Sequence, residues 1–158
     1  MTPEIKTLEE KKLVGMRIKT TVANDKAREL WQRFMPRRNE VRNRVGENFY
    51  SIQAYDHSRS FETFTPQTEF EKWASVEVSD WDAIPDEMES RTLAGGQYAV
   101  FIHRGLAKDF PETWKAIFMK WLPQSDYELD KRDHFEILTP AYRPDDPDAT
   151  EEIWIPIK

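Results

Sequence analysis

The chain has 158 residues, no cysteine and a formal net charge of −6 at pH 7. This length suits one domain that buries its core without cross-links, and the lack of cysteine excludes disulfide frameworks, thiolate nucleophiles and cysteine-ligated zinc. The acidic balance argues against direct binding of DNA through its phosphates. No stretch approaches the ~20 apolar residues of a membrane helix, and the N-terminus has no apolar secretory segment, so we expect a soluble, cytoplasmic protein.

Aromatic residues are the unusual part of the composition. Six Trp, five Tyr and nine Phe make 20 rings, against 18 Leu and Ile residues together. Folded cores are normally built from branched aliphatic side chains, and Trp is rarely buried completely. The excess predicts either an unusual core or a cavity walled by rings.

The first half of the chain predicts a strand, a helix and two more strands. Residues 12–19 are rich in apolar side chains and contain a glycine, which predicts a glycine-marked strand. Residues 29–35 have the periodicity of an amphipathic helix, and the runs 50–55 and 70–78 are typical of strands.

The second half repeats this order. A glycine-marked strand is predicted over 93–103, a helix around 112–119, and strands over 134–138 and 152–157. Each half is therefore strand, helix, then two strands.

Single residues also correspond between the halves. Trp31 and Trp114 lie 83 positions apart, and Glu71 and Trp73 match Glu152 and Trp154. We interpret the chain as a duplicated βαββ module, with repeat 1 at about 11–80 and repeat 2 at about 91–158.

Neither repeat, with only about 75 residues, can bury its helix and sheet face well alone. We therefore expect one α+β domain over 1–158 with pseudo-two-fold symmetry, antiparallel sheets, helices on one face and a central ligand groove.

Strand alternation predicts which side chains share a face. In the last strand Ile153, Ile155 and Ile157 lie on one side, expected to face the helices, and Glu152 and Trp154 on the other.

The same logic places Ala74, Val76 and Val78 toward the helices and leaves Trp73 and Glu77 opposite. In the strand 134–138 we expect Phe135 and Ile137 to point inward and Glu136 outward, onto the face of the indoles.

A face that repeats carboxylates beside indoles favours a binding pocket. Rings supply contact area and cation–π attraction, and a carboxylate offsets the charge of a cationic aromatic ligand. Exposed Trp would otherwise reduce solubility. The candidate ligand-binding residues on this argument are Glu152, Glu136, Glu77, Trp73, Trp154, Tyr98 and Tyr142.

Three further rings, Trp114, Phe118 and Trp121, have helical spacing. Such a stripe is either core or core that also walls a pocket, and both interpretations stay open.

No cofactor or metal site is predicted. The histidines, His57, His103 and His134, lack the spacing of a helical ligand pair, and Gly95-Gly96 indicates a turn instead of a phosphate loop. The remaining chemistry is that of carboxylates, in which a pocket Glu with a raised pKa acts as general acid or base in a simple hydrolysis.

The sequence pattern of the second half resembles that of a known protein family. Five segments carry the likeness: the run 95–100, the following helix containing Trp114, residues 123–129, the Phe135-Glu136-Ile137 segment and the final 152–157. Together they are similar to the GyrI-like small-molecule-binding domain. This domain is also the effector-binding domain of multidrug-sensing regulators of the AraC and MerR kinds. The resemblance is specific over about 91–158 and looser over 11–80.

The resemblance implies a duplicated βαββ unit with a central hydrophobic groove for bulky, often cationic or aromatic compounds. It also implies that Glu152 is the groove glutamate, with Trp154 as its aromatic neighbour and Glu136 as the Glu of a Phe-Glu pair. Trp73 and Glu77 match no family motif.

Residues 11–158 are taken up by the module, which leaves no room for a DNA-binding domain, so we expect a stand-alone binding protein. Two alternatives remain open. The first, which the resemblance suggests, is a small hydrolase of reactive, for instance cyclopropane-containing, electrophiles. The second is an inhibitor or adaptor that acts on a protein partner, since the chain after residue 83 has 9 basic and 15 acidic residues.

Overall fold

The computed structural model describes all 158 residues as one antiparallel sheet with two helical segments. The strands are β1 (Glu4–Leu8), β2 (Lys11–Thr20), β3 (Phe49–Ala54), β4 (Phe70–Val78), β5 (Glu89–Leu93), β6 (Gly96–Arg104), β7 (His134–Leu138) and β8 (Thr150–Pro156). The helices are α1 (Ala27–Phe34) with a 3₁₀ turn (Met35–Glu40), and α2 (Phe110–Lys115) with a π-helical turn (Ala116–Trp121) and the short α3 (Leu122–Gln124); 3₁₀ turns also occur at Phe61–Thr63 and Ala107–Asp109. None of the helices has the length and apolar character needed to cross a membrane.

The predicted order of strand, helix and two strands is confirmed in both halves, with one addition. Each half begins with an extra strand, β1 or β5. The segment 93–103, expected to be one strand, turns at Gly95, so that β5 ends and β6 begins there.

The sheet has the pseudo-two-fold symmetry of a duplicated chain. Its strand order is β1-β6-β8-β7-β3-β4-β2-β5, which reads as the same arrangement from either edge. At the centre, Ile52 of β3 lies directly opposite Phe135 of β7. These two residues are 83 positions apart, as are Trp31 and Trp114, so the pseudo-axis passes between them.

Two short connections make the sheet curl. The edge strand β1 continues through Glu9 and Glu10 into β2, which lies next to the opposite edge, and β5 continues through Ala94 and Gly95 into β6 in the same way. Two linking residues span at most roughly 11 Å between strand ends, so the two ends of the sheet must lie close together.

The two connections touch where they cross. A Cβ atom built on Gly95 would lie 2.8 Å from the carbonyl oxygen of Leu8 and 3.0 Å from the amide nitrogen of Glu10. Glycine is required here because the backbones approach more closely than a side chain permits.

Both helices pack on the outer face of the curled sheet. Leu30 and Phe34 of α1 pack with Ala74, Val76 and Val78. In the second half, Ile117 packs on the isoleucines of β8 and on Phe101 of β6. The predicted helix-facing residues of β4 and β8 are thus confirmed.

The inner face of the curl is a second core, which we name the inner cluster. Phe135 stacks on Trp154 at a centroid distance of 5.4 Å, and Tyr98 meets both rings edge-on at 5.3 and 5.7 Å. The inner cluster consists of Leu13, Tyr50, Ile52, Trp73, Leu93, Tyr98, Val100, Phe135 and Trp154. Five of the 20 aromatic rings are therefore packed in the inner cluster.

The prediction that Glu136 shares a face with the indoles is wrong. Phe135 and Trp154 are paired across β7 and β8 and both point inward, so Glu136 points to the helix-bearing face. The alternation of side chains between the two faces along β7 was correctly predicted. Which of these faces is shared with Trp154 of β8 depends on the pairing of the two strands.

The crossing can be tested with Gly95→Ala. We expect the free energy of unfolding to fall by about 1–3 kcal/mol, because the new methyl group forces apart two backbones that hold the curl. Urea denaturation followed by Trp fluorescence measures the change. Thr92→Ala, at an exposed position of β5, is the control and should stay within about 0.5 kcal/mol; equal stability of the two variants would contradict the crossing constraint.

Candidate functional site

On the outer face the two helical segments lie mainly over the flanking strands and touch the central strands β3 and β7 through Trp31 and Phe118. Leu30 and Phe34 of α1 pack over β2 and β4, and Ile117 of the second helical segment packs over β6 and β8. We name the strip between them the central groove; it carries polar side chains.

Four of these side chains form a row across adjacent strands, which we name the polar row. Lys72 of β4 lies opposite Gln53 of β3, and the Gln53 side-chain amide donates a 3.0 Å hydrogen bond to Glu136 Oε1 on β7. Glu136 is paired with Ile153, so Glu151 of β8 lies on the same face, diagonally next to Glu136.

The two carboxyl groups are buried together. Glu136 and Glu151 are 8 % and 9 % exposed. Burial raises the pKa of each carboxyl to about 7, while the ammonium of Lys72 opposes the rise. Because the two groups repel each other when both are charged, they titrate as a pair near neutral pH.

Tyr142, from the loop between β7 and β8, lies beside this pair. Its phenol is half-buried, and burial together with the charges of Glu151 and Glu136 raises its pKa to about 12. It therefore stays a neutral hydroxyl at physiological pH and can donate a hydrogen bond.

Rings close one side of the groove. Phe61, from the loop between β3 and β4, contacts Phe118 at 5.4 Å and stacks on His134 at 5.6 Å, and Tyr55 meets His134 edge-on at 4.9 Å. Trp114 stands behind Phe118 at 4.7 Å. We name Tyr55, Phe61, Trp114, Phe118 and His134 the aromatic wall.

His134 behaves as an aromatic ring in this wall. Burial lowers its pKa to about 3, so the imidazole is neutral at physiological pH. An uncharged ring stacked on Phe118 and Phe61 is compatible with a cationic ligand nearby.

The other side of the groove belongs to the first repeat. Trp31 of α1 meets Phe49 of β3 edge-on at 6.1 Å, and Phe49 is paired with Leu138 of β7. The duplicated residues Trp31 and Trp114 thus lie on the two sides of the strip.

A cavity of about 880 Å³ adjoins the aromatic wall. Tyr55, Phe61, Phe64 and His134 line it, together with polar residues of the 56–69 loop and of 129–131. Glu136 and Glu151 are not among its lining residues.

The predicted ligand-binding residues fall into separate places. Glu136, Tyr142, Trp114 and Phe118 come together around the central groove. Trp121 does not, since it meets Phe101 edge-on at 5.1 Å in the core beneath the second helical segment.

The two predicted indoles belong to the inner cluster. Trp73 and Trp154 are 3 % and 6 % exposed. Each indole N–H donates to the carboxylate two residues earlier, Trp73 to Glu71 at 2.7 Å and Trp154 to Glu152 at 2.9 Å. The repeated Glu-x-Trp pattern therefore makes an internal hydrogen bond in each half.

The remaining inner-face candidates also have internal partners. The Tyr98 hydroxyl donates to the carbonyl of Ala94 at 2.6 Å, and Glu77 pairs with Lys11 at 3.2 Å. Glu77 and Glu152 lie on the opposite side of the sheet from Glu136, so the expected single cluster of Glu152, Glu136 and Glu77 does not form. A ligand role for the inner-face residues stays a prediction.

Sequence reasoning missed several groove residues, although two left a signal. Glu151 precedes Ile153, Ile155 and Ile157 by alternation, so it belongs on their face. Gln53 stands 83 positions before Glu136, the same spacing as the duplicated Trp pair. Tyr55 and Phe61 had no comparable signal because their neighbours come from distant strands and loops.

Comparisons with known proteins agree with this architecture. The family model of the GyrI-like small molecule binding domain matches residues 1–158. The transcriptional regulator BrlR of Pseudomonas aeruginosa is 30 % identical over 147 residues, which is 92 % of this chain and 51 % of that protein. The chain therefore spans about half the length of this relative.

Two solved structures illustrate the range of proteins with this fold. SAV2435 bound to tetraphenylphosphonium is 15 % identical, with a TM-score of 0.77 over 100 % of this chain and 94 % of that one. A hydrolase from Listeria innocua is 11 % identical, with a TM-score of 0.62 over 99 % and 92 %. These likenesses concern the fold, whereas the family match covers the whole sequence: the chain belongs to the GyrI-like family of small-molecule-binding domains.

Proposed function

We propose that the central groove binds a bulky hydrophobic cation, and that the protein senses or sequesters such compounds through this binding. The observation that carries the proposal is the pair Glu136 and Glu151, buried beside an aromatic wall and hydrogen-bonded to no cationic side chain. A buried carboxylate is costly unless a positive charge accompanies it. Lys72 acts on both carboxylates only through space, and a ligand cation would supply positive charge in direct contact with them.

The aromatic wall suits the rest of such a ligand. The neutral rings of Phe118, Trp114 and His134 offer apolar area and ring faces that attract cations. SAV2435, which shares the fold, is bound to tetraphenylphosphonium, a cation surrounded by rings. This likeness supports the choice of that compound as a probe.

Binding requires the wall to move. Glu136 and Glu151 are almost fully buried, so a bulky ligand reaches them only when a covering group is displaced. Phe61 is the candidate, because it lines the 880 Å³ cavity and also contacts Phe118 of the aromatic wall.

The central test is Glu136→Gln. We expect this variant to bind tetraphenylphosphonium about 10- to 100-fold more weakly than the wild type, the loss typical of removing a charged hydrogen-bonding partner. Titration by isothermal calorimetry measures the change, and quenching of Trp fluorescence provides a second signal.

Two controls sharpen this test. Glu128→Gln removes a carboxylate from an exposed position and should leave affinity unchanged. Tetraphenylborate has the same shape and the opposite charge, so it should bind much more weakly. Equal affinity for both probes, or full binding by Glu136→Gln, would overturn the cation site at Glu136.

Affinity should also depend on pH. Because the pKa values of Glu136 and Glu151 are about 7, lowering the pH through 7 protonates them and removes the charge that attracts the cation. We expect tetraphenylphosphonium to bind more tightly at pH 8.5 than at pH 5.5, with the midpoint near 7.

The ionisable groups next to the two carboxylates do not mask this effect, and His57 lies outside the groove, in the lining of the adjoining cavity. Tyr142 and His134 have pKa values of about 12 and about 3, so neither titrates in that range, and burial raises the pKa of Tyr55 further from it. Affinity that is flat from pH 5.5 to 8.5, or that falls as the pH rises, would count against the carboxylate pair.

A second function, hydrolysis of an electrophile, is favoured by the same pair. Two carboxyl groups with pKa values near 7 offer one protonated and one ionised partner at neutral pH. The ionised group can take a proton from water as the water oxygen attacks carbon, and the protonated group can give its proton to the leaving atom. A hydrolase shares this fold.

Hydrolysis is distinguished from binding by turnover. We expect a hydrolase to convert a cyclopropane-containing electrophile with a bell-shaped pH profile centred near 7, and Glu136→Gln and Glu151→Gln to lose at least about 100-fold in kcat. Product formation is followed by mass spectrometry. If the wild type binds the compound stoichiometrically but forms no product, hydrolysis is contradicted and only the binding function remains.

A further inference from the structure

We propose that Lys72 is the internal counter-ion of Glu136 and Glu151, and that it sets the charge of the ligands that the groove accepts. This inference rests on the proposed function of the groove and adds a specificity-determining residue to it.

The geometry places Lys72 at the end of the polar row. It lies between Ile18 of β2 and Gln53 of β3 in the sheet register, and Gln53 bridges to Glu136 through its side-chain amide. Lys72 therefore shares the floor of the groove with both carboxylates, two strands away from Glu136.

Pseudo-symmetry shows that packing alone does not call for a lysine here. Lys72 precedes Trp73 as Ile153 precedes Trp154, and Ile153 is 2 % exposed in the core. The other helix-facing positions of β4 next to α1 are Ala74, Val76 and Val78. A charged residue thus replaces an apolar one on the side of the sheet that holds the buried acids.

The charges of the row balance one another. Lys72 acts on Glu136 and Glu151 through space, without a hydrogen bond to either carboxylate. Two coupled carboxyl groups that titrate near pH 7 carry about one negative charge between them at that pH, which the single ammonium offsets. Tyr142 and His134, the other ionisable groups nearby, are neutral there.

A ligand cation must compete with this ammonium. Since Lys72 is held by no short ion pair, its flexible chain can swing away from the groove when another cation enters. The competition lowers the affinity of the groove for cations in general. Cations with a large hydrophobic body gain most of their affinity from the rings, so the groove prefers them over small cations.

The counter-ion role is tested without any ligand. In Lys72→Met, a substitution close in length, the side-chain carboxyl resonances of Glu136 and Glu151 should titrate roughly 1 pH unit higher than in the wild type. Lys72→Arg keeps the charge and should titrate like the wild type. Lys115→Met removes an exposed lysine of α2 and should also leave both midpoints unchanged.

Selectivity is tested with the two tetraphenyl probes at pH 9, where both carboxylates are ionised. Lys72→Met should bind tetraphenylphosphonium roughly tenfold more tightly and tetraphenylborate more weakly, whereas Lys72→Arg should match the wild type.

The outcomes separate this inference from the proposed function. Unchanged carboxyl titration in Lys72→Met overturns the counter-ion, whatever the probes do. Shifted titration with unchanged preference between the probes overturns the selectivity role. Failure of the wild type and of Lys72→Met to bind tetraphenylphosphonium, with shifted titration, overturns the cation-binding function and the selectivity role but leaves the counter-ion standing.

Discussion

The close crossing of two short connections is the constraint on which the structure depends. Because β1 and β2 are joined by two residues while lying toward opposite edges of the sheet, an open, flat sheet cannot form. The sheet must curl until Gly95 touches the backbone of Leu8 and Glu10. Curling creates an enclosed inner face, and rings such as Tyr98 and Phe135 fill it because large flat side chains cover area efficiently with few degrees of freedom.

The two faces of the sheet consequently differ in how their polar groups are satisfied. On the inner face polar atoms are satisfied internally, as in the hydrogen bonds of Trp73 and Trp154 to their preceding glutamates, so that face stabilises the fold. On the outer face the helices cover the flanking strands, and Glu136 and Glu151 lie in the strip between them. Buried carboxylates with raised pKa values oppose stability at neutral pH. Groups of this kind, kept where an apolar pair would pack, are typical of functional sites.

The asymmetry between the repeats produces one groove from two similar halves. Gln53 and Glu136 are equivalent positions, yet one is an amide and the other an acid, and they bond to each other near the pseudo-axis. Lys72 and Ile153 are likewise equivalent but differ in charge. Duplication supplied the symmetric frame and the two sides of the groove, and a few substitutions gave it a single acidic end and a single basic end.

The sequence by itself determined the duplication, the order of the main elements and the helix-facing residues of β4 and β8, because these depend on local periodicity and on a repeat spacing of about 80 residues. It also indicated a groove that included Glu136 and Tyr142, but it placed that groove on the face of Trp73 and Trp154. Only the tertiary structure decided that Glu136 and Glu152 lie on opposite faces. Alternation along a strand is a local property, but the face that a strand turns to its neighbour is set by register, and burial of Trp73 and Trp154 is set by a curl that joins distant strands.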